Sequence, residues 1–258
     1  MTQPYSGIPN QFRQDLIAQK NLIGCWCAMS SPIGAEILGQ AGFDWVLIDG
    51  EHSANGFKDF MHQLMALKDS ASAPVVRPQW SEPVIVKRLM DLGFFNFLFP
   101  FIETEEQAKA IVAATRYPPE GIRGVALLQR GNKFGYIPEY PEKVNENVAV
   151  LVQIESLEGL NNVEAIAKVD GVDGLFIGPS DLSVALGHFC QPMHPEVQEA
   201  MQRIIAAGKA AGKSIGIIAP VEEQAHMYLE MGVNLVAVGA DLGILKNATL
   251  ELRKKYKP

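Results

Sequence analysis

Two stretches decide the fold: Val148-Ala-Val-Leu-Val-Gln-Ile-Glu155, and after it Leu175-Phe-Ile-Gly-Pro-Ser-Asp181. Each is an apolar, β-forming run closely followed by a carboxylate. A strand that is apolar on both faces is buried on both faces, the pattern of a parallel sheet covered by helices. A charge at the end of such a strand must be paired, hydrogen-bonded or metal-bound. Glu155 and Asp181 stand 26 positions apart (181 − 155), about one strand-helix-strand step. The two carboxylates can therefore sit on adjacent parallel strands and share a divalent ion. The alternative is two unrelated acids, with Asp181 capping a helix.

Outward from these runs the same rhythm continues from Leu22 to the carboxyl terminus. It predicts strands at Ile23 to Ala28, Trp45 to Asp49, Pro74 to Arg77, Asn96 to Phe99, Ala149 to Ile154, Gly174 to Ile177, Ser214 to Ile218 and Leu235 to Val238. Helix starts are marked by Ser31-Pro32, Ser81-Glu-Pro83 and the capping box Thr104-Glu-Glu-Gln107, and stops by Gly42, Gly93, Gly212 and Gly232. Eight strand-helix steps in 258 residues predict an α/β fold, a TIM (β/α)8 barrel with one domain over residues 1–258. A doubly wound open sheet is the alternative. A last helix is expected from Asp241 to Lys257. Tyr117 to Asn147 breaks the rhythm, with four prolines and four glycines and no clear period; its Arg123, Gln129, Arg130 and Asn132 are candidates for the wall of an anionic substrate site.

With 48% hydrophobic residues the chain can bury a sizeable core, and its net charge of −7, without a basic stripe, speaks against a nucleic-acid partner. No apolar run approaches the ~20 residues of a membrane span, and Met1 to Gln14 has no apolar leader. A cytoplasmic protein with no membrane partner is expected. Three cysteines make no disulfide framework. Cys25 and Cys27 flank Trp26 on one strand face and read as buried thiols rather than metal ligands.

In such a barrel the active site lies at the carboxyl ends of the strands. The residues converging there are Asp49-Gly-Glu51-His52, Arg77, Gln153, Glu155 and Gly178-Pro-Ser180-Asp181. They comprise a base, a cation and hard oxygen ligands. Gln153 and Glu155 are two apart and face one side of their strand. Arg77 could equally pair with Asp49 or Glu51 as support. His62 and His226 fall on helical, solvent-facing positions; His188 and His194 flank the loop after Asp181; Asp44 belongs to the barrel floor. No lysine ends a predicted strand, so Schiff-base catalysis lacks its nucleophile. Metal-assisted chemistry is what remains.

Gly24-Cys-Trp26, Gly42-Phe-Asp-Trp45, Asp49-Gly-Glu-His52, Ala73-Pro-Val-Val-Arg77, Tyr117-Pro-Pro-Glu-Gly-Ile-Arg-Gly124, Gln153-Ile-Glu155, Gly178-Pro-Ser-Asp-Leu182 and Val238-Gly-Ala-Asp-Leu242 resemble the metal-dependent (class II) hydroxy-oxo-acid aldolases, above all those acting on 2-dehydro-3-deoxyglucarate. The resemblance runs from about Gln11 to the carboxyl terminus. It implies a carbon-carbon lyase that reversibly cleaves 2-dehydro-3-deoxy-D-glucarate, or a related 3-deoxy-2-oxo sugar acid, to pyruvate and tartronate semialdehyde through a metal-stabilised enolate. 4-Hydroxy-2-oxoheptanedioate and 2-keto-3-deoxy-rhamnonate are alternative substrates, and a non-catalytic oxo-acid-binding barrel is the alternative of another class.

Carried over residue by residue, the resemblance implies that Glu155 and Asp181 bind Mg²⁺, with Mn²⁺ or Co²⁺ as alternatives. It implies that Gln153, Ser180, Asp181 and Arg77 contact substrate, that His52 is the base and that Arg77 stabilises the enolate. Asp91 matches an aspartate that raises the basicity of the histidine. Because Asp91 falls late in the helix after the third strand, it is expected to reach His52 from a neighbouring subunit; Asp49 is the intrachain rival. The family implies a homo-oligomer, a hexamer built as a trimer of dimers with exchanged carboxyl-terminal helices. Pro78-Gln-Trp80 departs from the family pattern and leaves the released aldehyde open.

Overall fold

The computed structural model describes residues 4–257; residues 1–3 of the polar amino-terminal stretch, and Pro258, lie outside them. The chain runs α1 (Gln11–Ile17), β1 (Leu22–Cys27), α2 (Pro32–Gln40), β2 (Trp45–Asp49), α3 (Phe57–Ala66), β3 (Ala73–Arg77), α4 (Pro83–Leu92), β4 (Asn96–Phe99), α5 (Glu105–Ala114), α6 (Tyr140–Lys143), β5 (Ala149–Ile154), α7 (Leu157–Asn161), α8 (Val163–Ala167), β6 (Gly174–Ile177), α9 (Pro179–Ala185), α10 (Pro195–Ala210), β7 (Ser214–Ile218), α11 (Glu222–Glu230), β8 (Leu235–Ala240) and α12 (Asp241–Lys254). All strand pairs are parallel, and β8 returns to β1 to close the barrel. Closure excludes the doubly wound sheet. The last helix stops three residues short of the expected Lys257, at Lys254.

The period of two along each strand sorts side chains into two cores. Outward residues such as Val46, Ile48, Val150, Val152 and Ile154 pack under the helices. Inward residues, among them Trp26, Trp45, Leu47, Val75, Leu98, Leu151 and Phe176, fill the barrel. Trp26, Trp45 and Phe176 meet pairwise with ring centroids 5.7 to 6.4 Å apart. Gly24 faces this layer because space runs out: a Cβ there would fall 2.2 Å from the Trp45 ring. Cys25 and Cys27 point outward, into the layer between strands and helices.

The floor is sealed by α1, whose Phe12 and Leu16 enter the inner core. The Ser214 hydroxyl donates to Leu16 O at 2.7 Å, and the Asn10 amide side chain donates to Asn96 Oδ1 at 2.8 Å. Asp44, as expected, works at this end, accepting from the Ile23 amide at 2.7 Å. The predicted helix signals hold: Thr104 and Gln107 form a reciprocal capping box on α5, Ser31 caps α2, and Gly93 ends α4 with φ +108°. With floor and interior filled, polar chemistry is confined to the opposite, carboxyl mouth. Phe176→Ala opens the aromatic layer and is expected to lower unfolding free energy by about 3–5 kcal/mol; a urea-unfolding loss under ~1 kcal/mol would mean that the layer does not hold the barrel.

Candidate active site

Above the aromatic layer the inward rows become polar. Asp49 ends β2, Arg77 ends β3 in register with it, Gln153 lies inward on β5, and Glu155 follows β5 by one residue. All four are buried. The next inward position, just past β6, is Gly178, and it has to be glycine, because a Cβ there would lie 2.3 Å from Glu155 Oε2 and 2.9 Å from Gln153 Nε2. Pro179 then starts α9, which carries Ser180 and Asp181 in its first turn. The structure thus brings Arg77, Gln153, Glu155 and Asp181 to one mouth.

Arg77 is held from two sides. Its Nε and Nη2 donate to the two Asp49 carboxylate oxygens at 2.9 and 2.8 Å, and Nη1 lies 2.8 Å from Glu51 Oε2. The guanidinium also lies over the Trp26 ring, 5.3 Å from its centroid. Burial alone would disfavour the cation, but hydrogen bonding to Asp49 and the charges of Asp49, Glu51 and Glu155 reverse that, so Arg77 is held protonated. Removing one member of such a buried pair typically costs about 3–5 kcal/mol. Asp49 Oδ1 also accepts from the Glu51 amide at 3.0 Å. The Asp49 carboxylate is therefore spent on positioning Arg77 and its own loop.

Glu155 is in the opposite situation. Its Oε1 accepts from the Phe101 amide at 2.9 Å and its Oε2 from the Gln153 side chain. Burial, and then the negative charges of Glu51 and Asp181, push its carboxyl up from 4.5 to about 7 despite the Phe101 bond and the charge of Arg77. Burial likewise raises Glu51. Four acids, Asp49, Glu51, Glu155 and Asp181, face one arginine, and the arginine is committed to two of them. Buried Gln153 Oε1 has no hydrogen-bond partner. An orphaned carbonyl oxygen and two uncompensated carboxylates are hard oxygen donors short of a cation, and they fit a divalent metal of the magnesium type.

The remaining predicted residues are His52 and Ser180 at the exposed rim and Asp91 away from it. His52 stands on the loop after β2 with its side chain 65% exposed, 3.8 Å from Glu51 Oε2. Ser180 is exposed at the mouth. Asp91, in the last turn of α4, lies toward the opposite end of the barrel, where it pairs with Arg123 Nη2 at 2.9 Å. The expected anionic wall is also overturned. Arg123 is taken by Asp91 and the Tyr140 hydroxyl, Arg130 donates to Leu92 O, and Gln129 and Asn132 cap each other's turn. Arg130 further lines a cavity beside Tyr5, Pro74 and Phe95, by the amino-terminal ends of β3 and β4. That segment braces the back of α4.

Several supporting residues escaped the sequence. Asn55 donates to Asp49 O, Gln63 donates to Asn55 Oδ1 at 2.7 Å, and Cys27 Sγ lies 3.3 Å from Gln63 Oε1, so a buried chain of amides runs under the β2 loop. Asp241 opens α12 and accepts from the Ala28 and Met29 amides at 3.0 and 3.1 Å. Its signal was present in the stretch Val238-Gly-Ala-Asp-Leu242 but carried no strand-end reading of its own.

The family model described as HpcH/HpaI aldolase/citrate lyase matches residues 22–248. A Citrobacter koseri protein named 5-keto-4-deoxy-D-glucarate aldolase is 57% identical over 96% of this chain and 97% of its own. An Escherichia coli protein of the same name is 56% identical with the same coverage. Among solved structures, an HpcH/HpaI aldolase/citrate lyase family protein from Burkholderia cenocepacia superimposes with a TM-score of 0.94 at 41% identity, over 96% of this chain and 100% of that one.

A carboxyl raised by burial favours the fold below its unfolded value and loses that contribution as pH climbs through its folded value. With 4.5 unfolded and about 7 folded, metal-free protein should weaken across that window through Glu155. Glu155→Gln keeps the acceptor for Phe101, and a turn of the Gln153 amide lets its orphaned oxygen take the new donor. Chelator-treated variant is expected to melt higher than chelator-treated wild type at about pH 8, with the gap narrowing toward about pH 5. Equal or lower melting of the variant at the upper pH would contradict the assignment.

Proposed function

The chain belongs to the HpcH/HpaI aldolase/citrate lyase family, and on that premise we propose that it cleaves 5-keto-4-deoxy-D-glucarate, or a sugar diacid of the same 3-deoxy-2-oxo type, to pyruvate and tartronate semialdehyde. The observation that carries this reading is the buried, cation-seeking Glu155 beside Asp181 and an arginine anchored by two acids. Numbered from its other carboxylate, 5-keto-4-deoxy-glucarate is a 2-oxo acid with a hydroxyl on C4, the arrangement a retro-aldol step needs.

Glu155 and Asp181 would hold a divalent cation, magnesium first, with manganese or cobalt as alternatives, and that ion would supply Lewis acidity at the 2-oxo oxygen and adjoining carboxylate. His52 takes the proton from the C4 hydroxyl; its electrons form the aldehyde as the C3–C4 bond breaks, and negative charge moves to the pyruvate half. Imidazole suits that transfer near neutral pH. Arg77 stands, already oriented by Asp49 and Glu51, where that charge develops, so no reorganisation is needed at the moment of cleavage. Gln153 and Ser180 orient the oxo acid.

His52 is exposed in the single chain, and Asp91 lies by the other end of the barrel. We infer that a neighbouring subunit's α4 brings Asp91 to His52 in a homo-oligomer, a hexamer made as a trimer of dimers. The exposed apolar residues Leu242, Ile244, Leu245, Leu250 and Leu252 give α12 a face suited to exchange between subunits. Among the described residues no helix is long and apolar enough to cross a membrane, and we place the enzyme in the cytoplasm.

Pyruvate release from the substrate, coupled to lactate dehydrogenase, should fall about 10²–10⁴-fold in His52→Ala. The Asp91→Asn protein should be similarly slow, yet mixing it with the His52 variant under subunit exchange should restore part of the activity, because some interfaces then carry both native residues. An unchanged rate in His52→Ala removes the assigned base; no recovery on mixing removes the shared site.

A further inference from the structure

Outside the barrel mouth, on the connection between α9 and α10, His188, His194 and Glu196 form a compact cluster that the aldol chemistry leaves unused. One donor atom from each lies within 4.8 Å of those of the other two. The two imidazoles stack with centroids 3.5 Å apart and planes 17° from parallel, and His188 Nε2 is 2.7 Å from Glu196 Oε2. No other three His, Cys, Asp or Glu side chains among the described residues converge this closely.

The donors are placed by backbone. The His188 amide donates to Ser183 O in α9 at 2.8 Å, Gln191 N donates to His188 O at 3.0 Å, and His194 N donates to Gln191 O at 3.0 Å. His194 then caps the 16-residue α10, its Nδ1 accepting from the Glu196 amide at 3.3 Å, with Pro195 in the first turn. That capping bond engages Nδ1, while Nε2 of His194 makes no hydrogen bond to the described residues. Both ends of the connection are therefore fixed to helices before any ion arrives.

We propose that His188, His194 and Glu196 constitute a second divalent-cation site, selective for an imidazole-seeking ion of the zinc class, that clasps α9 to α10. Two imidazoles and one carboxylate are a zinc ligand set that leaves the fourth position to water. Magnesium, which takes oxygen donors in octahedral array, has no reason to choose this cluster over the barrel mouth. The two sites thus divide cations by donor chemistry. The clasp acts on α9, the helix that carries Ser180 and Asp181, through the bond from His188 to Ser183.

Protein saturated with Mg²⁺ is titrated with Zn²⁺, and bound zinc is counted by equilibrium dialysis with elemental analysis. Wild type is expected to hold one zinc per chain more than the His188→Gln/His194→Gln double variant, and zinc is expected to raise the melting temperature of wild type alone. Far-UV circular dichroism without zinc establishes that the double variant is folded. Glu196→Gln, which leaves the caps and both rings in place, provides a second variant, expected to weaken zinc binding roughly tenfold or more. Equal zinc counts in wild type and the double variant, or an unchanged zinc affinity in Glu196→Gln, overturn the proposal.

Discussion

A negative charge buried at the end of a barrel strand is the constraint around which this molecule is arranged. Glu155 has one backbone amide and one side-chain amide for company, and its other neighbours include two acids. Taking a carboxylate out of water with so little compensation is expensive, and the surrounding sequence accommodates it in particular ways. Gly178 gives up its side chain so that β6 can pass alongside. Phe101 supplies its amide from a backbone with φ +51°, a conformation that costs of order 1–3 kcal/mol where a structure imposes it. What the chain does not supply is a positive charge for Glu155: the one arginine nearby is bound to Asp49 and Glu51.

That division of labour separates two electrostatic tasks. Asp49 and Glu51 neutralise and orient Arg77, so a fixed cation faces the mouth without collapsing onto Glu155. Glu155 and Asp181 remain free to take an exchangeable cation from solution. A bidentate pair at 2.8 to 2.9 Å fixes the guanidinium plane as well as its charge. Beneath both tasks lies a dry layer of Trp26, Trp45 and Phe176, which keeps water from reaching the carboxylates from below.

Most of the barrel was readable because parallel strands announce themselves as short apolar runs, and the site because polar side chains interrupt those runs at their ends. Strand limits moved by one residue at β1 and β3. β8 ran on through Gly239 and Ala240, small residues with no strong strand preference of their own. The pairing of Arg77 with Asp49 was one of two readings open in the sequence, since residues ending adjacent strands can either meet each other or meet a ligand. The stretch from Tyr117 to Asn147 misled for a physical reason: irregular backbone and helix ends have unpaired polar groups, which Gln129, Asn132 and Arg130 satisfy, while Arg123 is tied to Asp91 and the Tyr140 hydroxyl. In composition such residues cannot be told from ligand-binding ones. The amides of Asn55 and Gln63 were invisible because their contacts join segments that sequence spacing does not relate.

The account stands or falls on whether Glu155 and Asp181 jointly hold one ion. Titration of Mn²⁺ followed by the loss of its free electron-paramagnetic-resonance signal tests this directly, with wild type, Glu155→Gln and Asp181→Asn side by side at neutral pH. One tightly bound ion per chain in wild type, absent from both variants, is the predicted result. Undiminished Mn²⁺ binding in either variant would show that the cation belongs elsewhere and that the buried carboxylate serves another end.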